Sequence, residues 1–279
     1  MGYEVIQSST PYAGLNNQIQ IAYGDDKEAY NKKHYVMWSG GTDSTLLLYE
    51  LLKTYGADHV IAVSYRYPWL LQQKADNEKA HRIAFIAKAK LRDIGVFKHI
   101  EMHITQEDII GKPAYLEANQ GRGLPQALAW MLSVPILAEE GGYIYDGGIR
   151  NDDLTLRLES YHEMFRGMAG VMMRKLTLRE PYLYLTKENV IEKLIDYDLY
   201  EETWFCETPE ATKPCGRCVP CKTHAVALQY LSENGSTDYI KLQASRMLTR
   251  LRGIGDPVSL HDPKASDIIV DSKQDIAHL

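Results

Sequence analysis

Two groups of residues in this sequence have the types and spacing to do chemistry. The first is the run Ser39-Gly40-Gly41-Thr42-Asp43-Ser44-Thr45. Paired glycines let the backbone turn tightly and expose amide N–H groups, and a helix beginning near Asp43 would add the positive end of its dipole. Ser39, Ser44 and Thr45 add hydroxyl donors. The chemistry this suits is phosphate binding. It is not a Walker loop, which needs a Gly-Lys-Ser/Thr ending and four residues between its glycines, nor the Gly-x-Gly-x-x-Gly dinucleotide fingerprint. A lone Gly-Gly turn is also how an ordinary strand-to-helix connection capped by Asp43 or Ser44 would read.

The second group is Cys206-x8-Cys215-x2-Cys218-x2-Cys221, the four cysteines of the chain, all within 16 residues. Stability disulfides usually close loops spread along a chain. Thiolates two residues apart in a tight knuckle, with a fourth from a neighbouring segment, suit tetrahedral zinc. Gly216 relaxes the first knuckle and Pro220 stiffens the second. Four thiolates leave no open position, so such a site would be structural. An iron–sulfur cluster uses the same ligand count, and a redox or persulfide-carrying pair would use two of the four. His224, three residues further on, is expected on a helix surface rather than among the ligands.

The elements that must position these groups alternate. Apolar runs at 34–38, 59–65, 99–104 and 142–148 read as strands. Residues 46–53 are apolar all round, as in a helix buried against a sheet. Residues 73–94 predict a helix with Ala80, Ile83, Ala84, Ala87 and Leu91 on one stripe, and 125–140 a helix with Pro125 in its first turn. Further helices are expected near 187–197 and from Lys222 to about Leu231. The fold class is therefore α/β: a mostly parallel sheet with helices on both faces, plus a small helical zinc-binding region. In such sheets ligands bind beyond the carboxyl ends of the strands. The division expected is an extension at 1–33, a nucleotide-binding domain at 34–185, a helical region with the zinc knuckle at 186–252 and a flexible tail at 253–279.

Composition narrows the class. The chain has 279 residues and a net charge of -6 from 31 Lys+Arg and 37 Asp+Glu. An acidic balance gives no electrostatic reason for tight non-specific nucleic-acid binding, although Lys241, Arg246, Arg250 and Arg252 form a local basic stretch, read as a solvated helix face. The longest uncharged apolar stretch, Leu124 to Ala138, is 15 residues, whereas a span needs roughly 20. The N-terminus lacks the basic and apolar regions of a secretory signal. A cytoplasmic globular protein is expected.

The string SGGTDS after a strand resembles the PP-loop of the ATP pyrophosphatases, which cleave ATP between the α- and β-phosphates. The resemblance implies that Ser39, Gly40, Gly41, Thr42, Asp43, Ser44 and Thr45 hold the departing pyrophosphate, with Ser39, Asp43 and Ser44 as the catalytic candidates. Asp43, a carboxylate beside phosphates, would act through Mg2+ or by ordering the loop amides. Together with TWFC and KPCGRCVPC near the end, the chain is similar to the QueC family, the 7-cyano-7-deazaguanine (preQ0) synthases. The similarity runs from about His34 to Leu231 and includes PYLYLTKENVIEKLIDYDL.

That resemblance implies that ATP activates 6-carboxy-7-deazaguanine as an acyl adenylate, that ammonia makes an amide, and that a second ATP drives loss of AMP to leave the nitrile. It also implies ATP, Mg2+ and Zn2+ as cofactors and a homodimer. Ser64 and Tyr65 would meet adenine, and Arg122, in Gly121-Arg122-Gly123, would hold phosphate or carboxylate. GGIRNDD at 147–153, with Arg150, falls where the family reads Gly-Val-Asn-x-Glu-Asp. The family's Tyr-Pro-Asp-Cys-Arg stretch appears as SYHEMFRG, with Glu163 for the Asp and Arg166 for the Arg. Lys175 and Arg179, ahead of a strand-like LREPYLYL, are candidates for the γ-phosphate. The altered segment leaves open an enzyme that stops at the amide or transfers the activated deazaguanine to an amine on a macromolecule. A tRNA-thiolating enzyme and a non-catalytic ATP- and zinc-binding module are the other readings.

Overall fold

The computed structural model of the protein describes residues 4–6, 29–66, 72–92, 94–103, 126–150 and 158–252. Arg122 with its flanking glycines, residues 151–153, most of 1–33 and the tail from 253 lie outside the described residues.

Six strands form one sheet: β1 (Glu4–Ile6), β2 (His34–Met37), β3 (Val60–Arg66), β4 (Lys98–His103), β5 (Tyr143–Tyr145) and β6 (Thr177–Arg179). Their order is β1-β6-β5-β2-β3-β4, and every pairing is parallel. His34 lies opposite Val60 on one side and Tyr143 on the other. The chain moves outward from β2 through β3 to β4, then returns to the other side of β2 for β5 and β6. The reversal lies between β2 and β5, and that is where an open parallel sheet leaves a crevice for a ligand.

The helices are α1 (Thr42–Tyr55), α2 (Gln72–Leu91), α3 (Gln126–Leu137), α4 (Leu158–Val171), α5 (Lys187–Asp196), α6 (Val219–Asn234) and α7 (Asp238–Arg252). They cover both faces. Val36, Trp38, Val60, Ala62 and Tyr145 pack with α1, α2 and α5 to α7 in one buried cluster. Tyr35, Met37, Ile61, Val63 and Ile144 pack with Trp130 and Val134 of α3 and with Tyr161 and Phe165 of α4 in the other. Alternate side chains of β2 and β3 thus point into opposite cores, and a strand covered twice reads as a continuous apolar run rather than an alternation. The expected α/β class is the class observed.

Three elements differ from their sequence reading. The stripe expected to bury on α2 faces outward: Ile83 is 57% and Leu91 84% exposed, and Ala80, Ala84 and Ala87 are exposed with them. The inward face carries Lys74, Asn77, Glu78, Arg82, Phe85 and Ala89, because half of that face meets polar loops rather than core. Helix α4 was not legible, since Gly167 and Gly170 lower its propensity. Its inward positions Tyr161, His162, Phe165 and Ala169 nonetheless recur at helical spacing. Helix α6 begins at Val219, with Cys218 as its N-cap and Pro220 in the first turn, a position where proline's missing N–H costs nothing.

Candidate nucleotide and metal site

The run 39–45 sits at the carboxyl end of β2 and turns directly into α1. Its hydroxyls and amides are bonded to one another. Ser39 Oγ lies 3.0 Å from Ser44 Oγ and accepts the Gly41 N–H at 3.0 Å, while the Ser39 N–H reaches Ser44 Oγ at 3.3 Å. Gly41 is the N-cap of α1 and has no side chain to offer, so the orphan amides of the first helical turn are left for a ligand. Thr45 differs from its neighbours: it is fully buried, and its hydroxyl accepts the Trp38 indole N–H at 3.0 Å. The loop after β5 closes over α1 so tightly that a Cβ on Gly147 would stand 3.2 Å from Ser44 N and Cα.

Asp43 has a partner that the sequence did not reveal. Lys187 Nζ donates to its two carboxylate oxygens at 2.8 and 2.6 Å and lies 3.4 Å from Thr42 Oγ1. Both side chains are mostly buried, at 16% and 22% exposure. Lys187 opens α5, where Thr186 and Asn189 form a reciprocal capping box. The N-termini of α1 and α5 therefore meet at this ion pair. The signal available in sequence was only a lysine following a capping threonine, an ordinary helix start.

Other expected residues are distributed as follows. Ser64 is fully buried and bonded to His99 Nε2 at 2.8 Å; burial lowers the His99 pKa. Tyr65 is buried at the end of β3, its hydroxyl on Ser133 and its pKa pushed up by burial to about 12. Arg150 is exposed after β5, and Glu163 and Arg166 are exposed on α4. The same helix turns His162 inward, where Nε2 lies 2.7 Å from Glu180 Oε2 just past the carboxyl end of β6. Lys175 precedes β6 and so stands at the amino end of the sheet, the end opposite the loop. Arg179 is buried with its guanidinium 4.3 Å over the Tyr143 ring, a stacking role rather than an open phosphate contact.

The four thiols converge. Their sulfur atoms all lie within 4.8 Å of one another, and Cys206 Sγ is 3.9 Å from Cys218 Sγ. A tetrahedron with bonds of about 2.3 Å places sulfurs about 3.8 Å apart, so the donor set fits zinc. Knuckle amides point at sulfur, with Cys215 N–H on Cys206 Sγ at 3.1 Å and Cys218 N–H on Cys215 Sγ at 3.4 Å. The Thr208 hydroxyl adds a bond to Cys215 Sγ at 3.2 Å. The hydrogen bond from Cys221 pulls the Cys218 thiol down to about 4 and pushes the Cys221 thiol up, and burial raises Cys206, so before a metal binds the four thiols share protons rather than ionise together. His224 is not on a surface. It is 1% exposed, stacked 3.8 Å from Phe205 and bonded through Nδ1 to Tyr200 Oη at 2.9 Å.

These two centres are one structure. The Trp204 N–H donates to Gly40 O at 2.9 Å. Lys74 of α2 pairs with Glu207 at 2.6 Å, and Asn77 donates to Ala211 O at 2.7 Å. Comparison with known proteins bears on what such a pair of centres belongs to. The family model described as "Queuosine biosynthesis protein QueC" matches residues 157–232, from the edge of α4 to the last turns of α6 and across the whole cysteine segment. That segment is similar to QueC.

Proteins named 7-cyano-7-deazaguanine synthase resemble the chain over most of its length. One from a Geobacter species is 26% identical over 238 residues, 76% of this chain and 98% of that protein. One from Rickettsia peacockii is 28% identical over 235 residues, 75% of this chain and 98% of that protein. Among solved structures, NMN synthetase from Francisella tularensis overlaps 80% of this chain and 86% of its own, at 14% identity and a TM-score of 0.41.

Proposed function

We propose that the protein is an ATP-dependent C–N ligase that converts 6-carboxy-7-deazaguanine and ammonia into 7-cyano-7-deazaguanine through an acyl adenylate and an amide, releasing AMP and pyrophosphate. The observation that carries this reading is the bond between a Gly-Gly loop and a four-thiol knuckle, through Trp204 and Gly40, in a chain similar over 75–76% of its length to synthases of that name.

In this reading residues 34–185 hold the nucleotide and 186–252 hold the metal. The amides of Gly40 and Gly41 and the hydroxyls of Ser39 and Ser44 receive the β- and γ-phosphates, giving up the bonds they now make to each other. Lys187 is 2.6 Å from Asp43 and within reach of the same phosphates. Mg2+ would be held by Asp43 and phosphate oxygens and would neutralise their charge. Ser64 and Tyr65 line the exit of β3 toward adenine. Arg150, Glu163 and Arg166, exposed to an incoming ligand, are assigned to the deazaguanine. The chain needs no strong base for these steps: an amine nucleophile and AMP as leaving group let positioning and charge stabilisation carry the barrier. Zinc at the four thiolates would be structural, with no open coordination position.

The test is incubation of the purified protein with 6-carboxy-7-deazaguanine, ATP, Mg2+ and ammonium, read by mass spectrometry. Nitrile formed together with AMP is the expected outcome. Amide without nitrile keeps the adenylation and removes the synthase assignment. No AMP removes both.

A further inference from the structure

The phosphate loop is held from behind by two bonds that the proposed reaction does not itself use. The first comes from α2. Arg82 is 3% exposed, and its Nη1–H donates to Ser39 O at 2.9 Å. Its stem lies along the loop, so that a Cβ on Gly40 would be 3.0 Å from Arg82 Cγ. Gly40 has φ +90°, and a side chain there would be both strained and in collision with the arginine. The second bond comes from the thiol segment, where the Trp204 N–H donates to Gly40 O at 2.9 Å. Trp204 is itself fixed by its indole N–H on Cys206 O at 2.9 Å.

The consequence follows from peptide geometry. In a trans peptide the C=O and the next N–H point in opposite directions. Arg82 draws the Ser39 carbonyl toward α2, which aims the Gly40 N–H away from α2. Trp204 draws the Gly40 carbonyl toward the thiol segment, which aims the Gly41 N–H away from that segment. The Gly41 N–H then meets Ser39 Oγ at 3.0 Å, an oxygen standing where an anion's oxygen could replace it. Two successive amides aimed outward at a glycine of positive φ form an anion-binding concavity. Glycine pairs flip their peptide planes easily, so without these bonds the loop would spend its time in several orientations.

We propose that Arg82 and the Trp204 backbone amide are positioning groups for the pyrophosphate site, each fixing one peptide plane of the loop so that the Gly40 and Gly41 N–H groups face the nucleotide. The inference rests on reading residues 39–45 as the pyrophosphate site. It extends that reading to two residues outside the loop, one of them belonging to the metal-binding segment. Arg82 donates to a carbonyl of the loop rather than to a ligand, so it acts through the loop. Glu101, 3.8 Å from its Nη2, holds the other end of the guanidinium, and its near-complete burial leaves little water to compete for the bond.

The experiment uses the full-length, metal-loaded chain and calorimetric titration with Mg-ATP, inorganic pyrophosphate and 6-carboxy-7-deazaguanine. Arg82→Met should weaken ATP and pyrophosphate to the same extent, by about tenfold for the lost orientation, and leave the carboxylate substrate unchanged. Arg82→Lys, which can still reach a carbonyl, should recover most of the loss. Equal pyrophosphate affinity in Arg82→Met and the unaltered chain would overturn the proposal, as would parallel loss of all three ligands, which marks general damage. A second measurement needs no substitution: amide exchange at Trp204 should slow when pyrophosphate binds, because the Gly40 carbonyl it holds becomes more fixed. Unchanged exchange at Trp204 in a chain that binds pyrophosphate would overturn its part. Failure of the unaltered chain to bind ATP or pyrophosphate would instead overturn the functional reading beneath it.

Discussion

At the scale of single residues, the most consequential contact is the one between Lys187 and Asp43. An ammonium donating to both oxygens of a carboxylate, with both groups mostly out of water, is a strong charge-assisted pair. It also occupies the carboxylate that a phosphate-bound cation would need. In the proposed reading a cation held by Asp43 and phosphate oxygens would displace the lysine and leave Lys187 facing those phosphates. There the lysine would stabilise charge that grows on the departing pyrophosphate. Lys187→Met should therefore lower kcat/KM for ATP by about 100-fold, the usual cost of losing one such donor. Steady-state AMP release measured over a range of ATP concentrations would show it. A variant within a factor of three of the unaltered chain would remove Lys187 from the phosphate site. The sequence pointed to Ser39 through Thr45 because the full string SGGTDS after a strand resembles a PP-loop, which a lone Gly-Gly turn would not. It was silent on Lys187, whose role depends entirely on where α5 begins in space.

Among elements, α1 is the helix on which the site depends, and its apolar packing on α5 encloses a polar group. Glu50 is buried and accepts the Tyr182 hydroxyl at 2.6 Å, the Lys193 ammonium at 2.6 Å and the Tyr197 hydroxyl at 3.4 Å. Removing one member of such a group leaves the others unpaired in low dielectric. Glu50→Ala should cost about 3 kcal/mol, read as a lower urea midpoint with an unchanged slope. Glu50→Gln, which keeps an acceptor, should cost less. Because α1 carries Asp43 and α5 carries Lys187, the same variant should weaken ATP binding. Helix α2 shows the limit of periodicity. Its alanines at 80, 84 and 87 made the apolar stripe, yet Lys74, Asn77, Glu78 and Arg82 are buried alongside Phe85 and Ala89. Burial pushes the Glu78 carboxyl up to about 7 even beside Lys74 and Arg82. A polar face turned toward two loops cannot be told from a solvated face by spacing alone.

At the scale of the whole molecule, His34 is a titratable group whose effect on folding has a clear sign. His34, the first residue of β2, is fully buried and stacked 3.8 Å from the Tyr55 ring. Its Nε2 lies 2.9 Å from Ala29 O and its Nδ1 3.0 Å from Tyr145 Oη. A carbonyl can only accept, so Nε2 carries the proton and Nδ1 accepts the tyrosine hydroxyl. Burial lowers the pKa from 6.5 to about 4. The folded state therefore binds this proton less readily than the unfolded chain. The stabilisation is complete above about pH 6.5 and is lost as the pH falls through 6.5 toward 4, a change of about 3 kcal/mol over the full shift. His34→Phe should lose the two hydrogen bonds but show a flatter dependence of unfolding free energy on pH between 7 and 4. Equal slopes would show that other groups set the acid response. Across the described residues no helix is long and apolar enough to cross a membrane, in keeping with the composition.

The sequence by itself determined the α/β class and singled out the glycine loop at 39–45 and the four clustered cysteines. Each of these rests on short-range chemistry: apolar runs of strand length, glycines at a turn, thiols two residues apart. Only the tertiary structure decided what surrounds them. Thr45 turned to Trp38, His224 went into the core, and the helix at 158–171 placed His162 rather than Glu163 inward. Lys187, Arg82 and Trp204 reach the loop from positions 43 or more residues away, and no spacing rule covers such distances. Their arrival is fixed by how parallel crossovers return helices to one end of a sheet. Local pattern names the groups that can do chemistry, and packing selects which of their neighbours hold them in place.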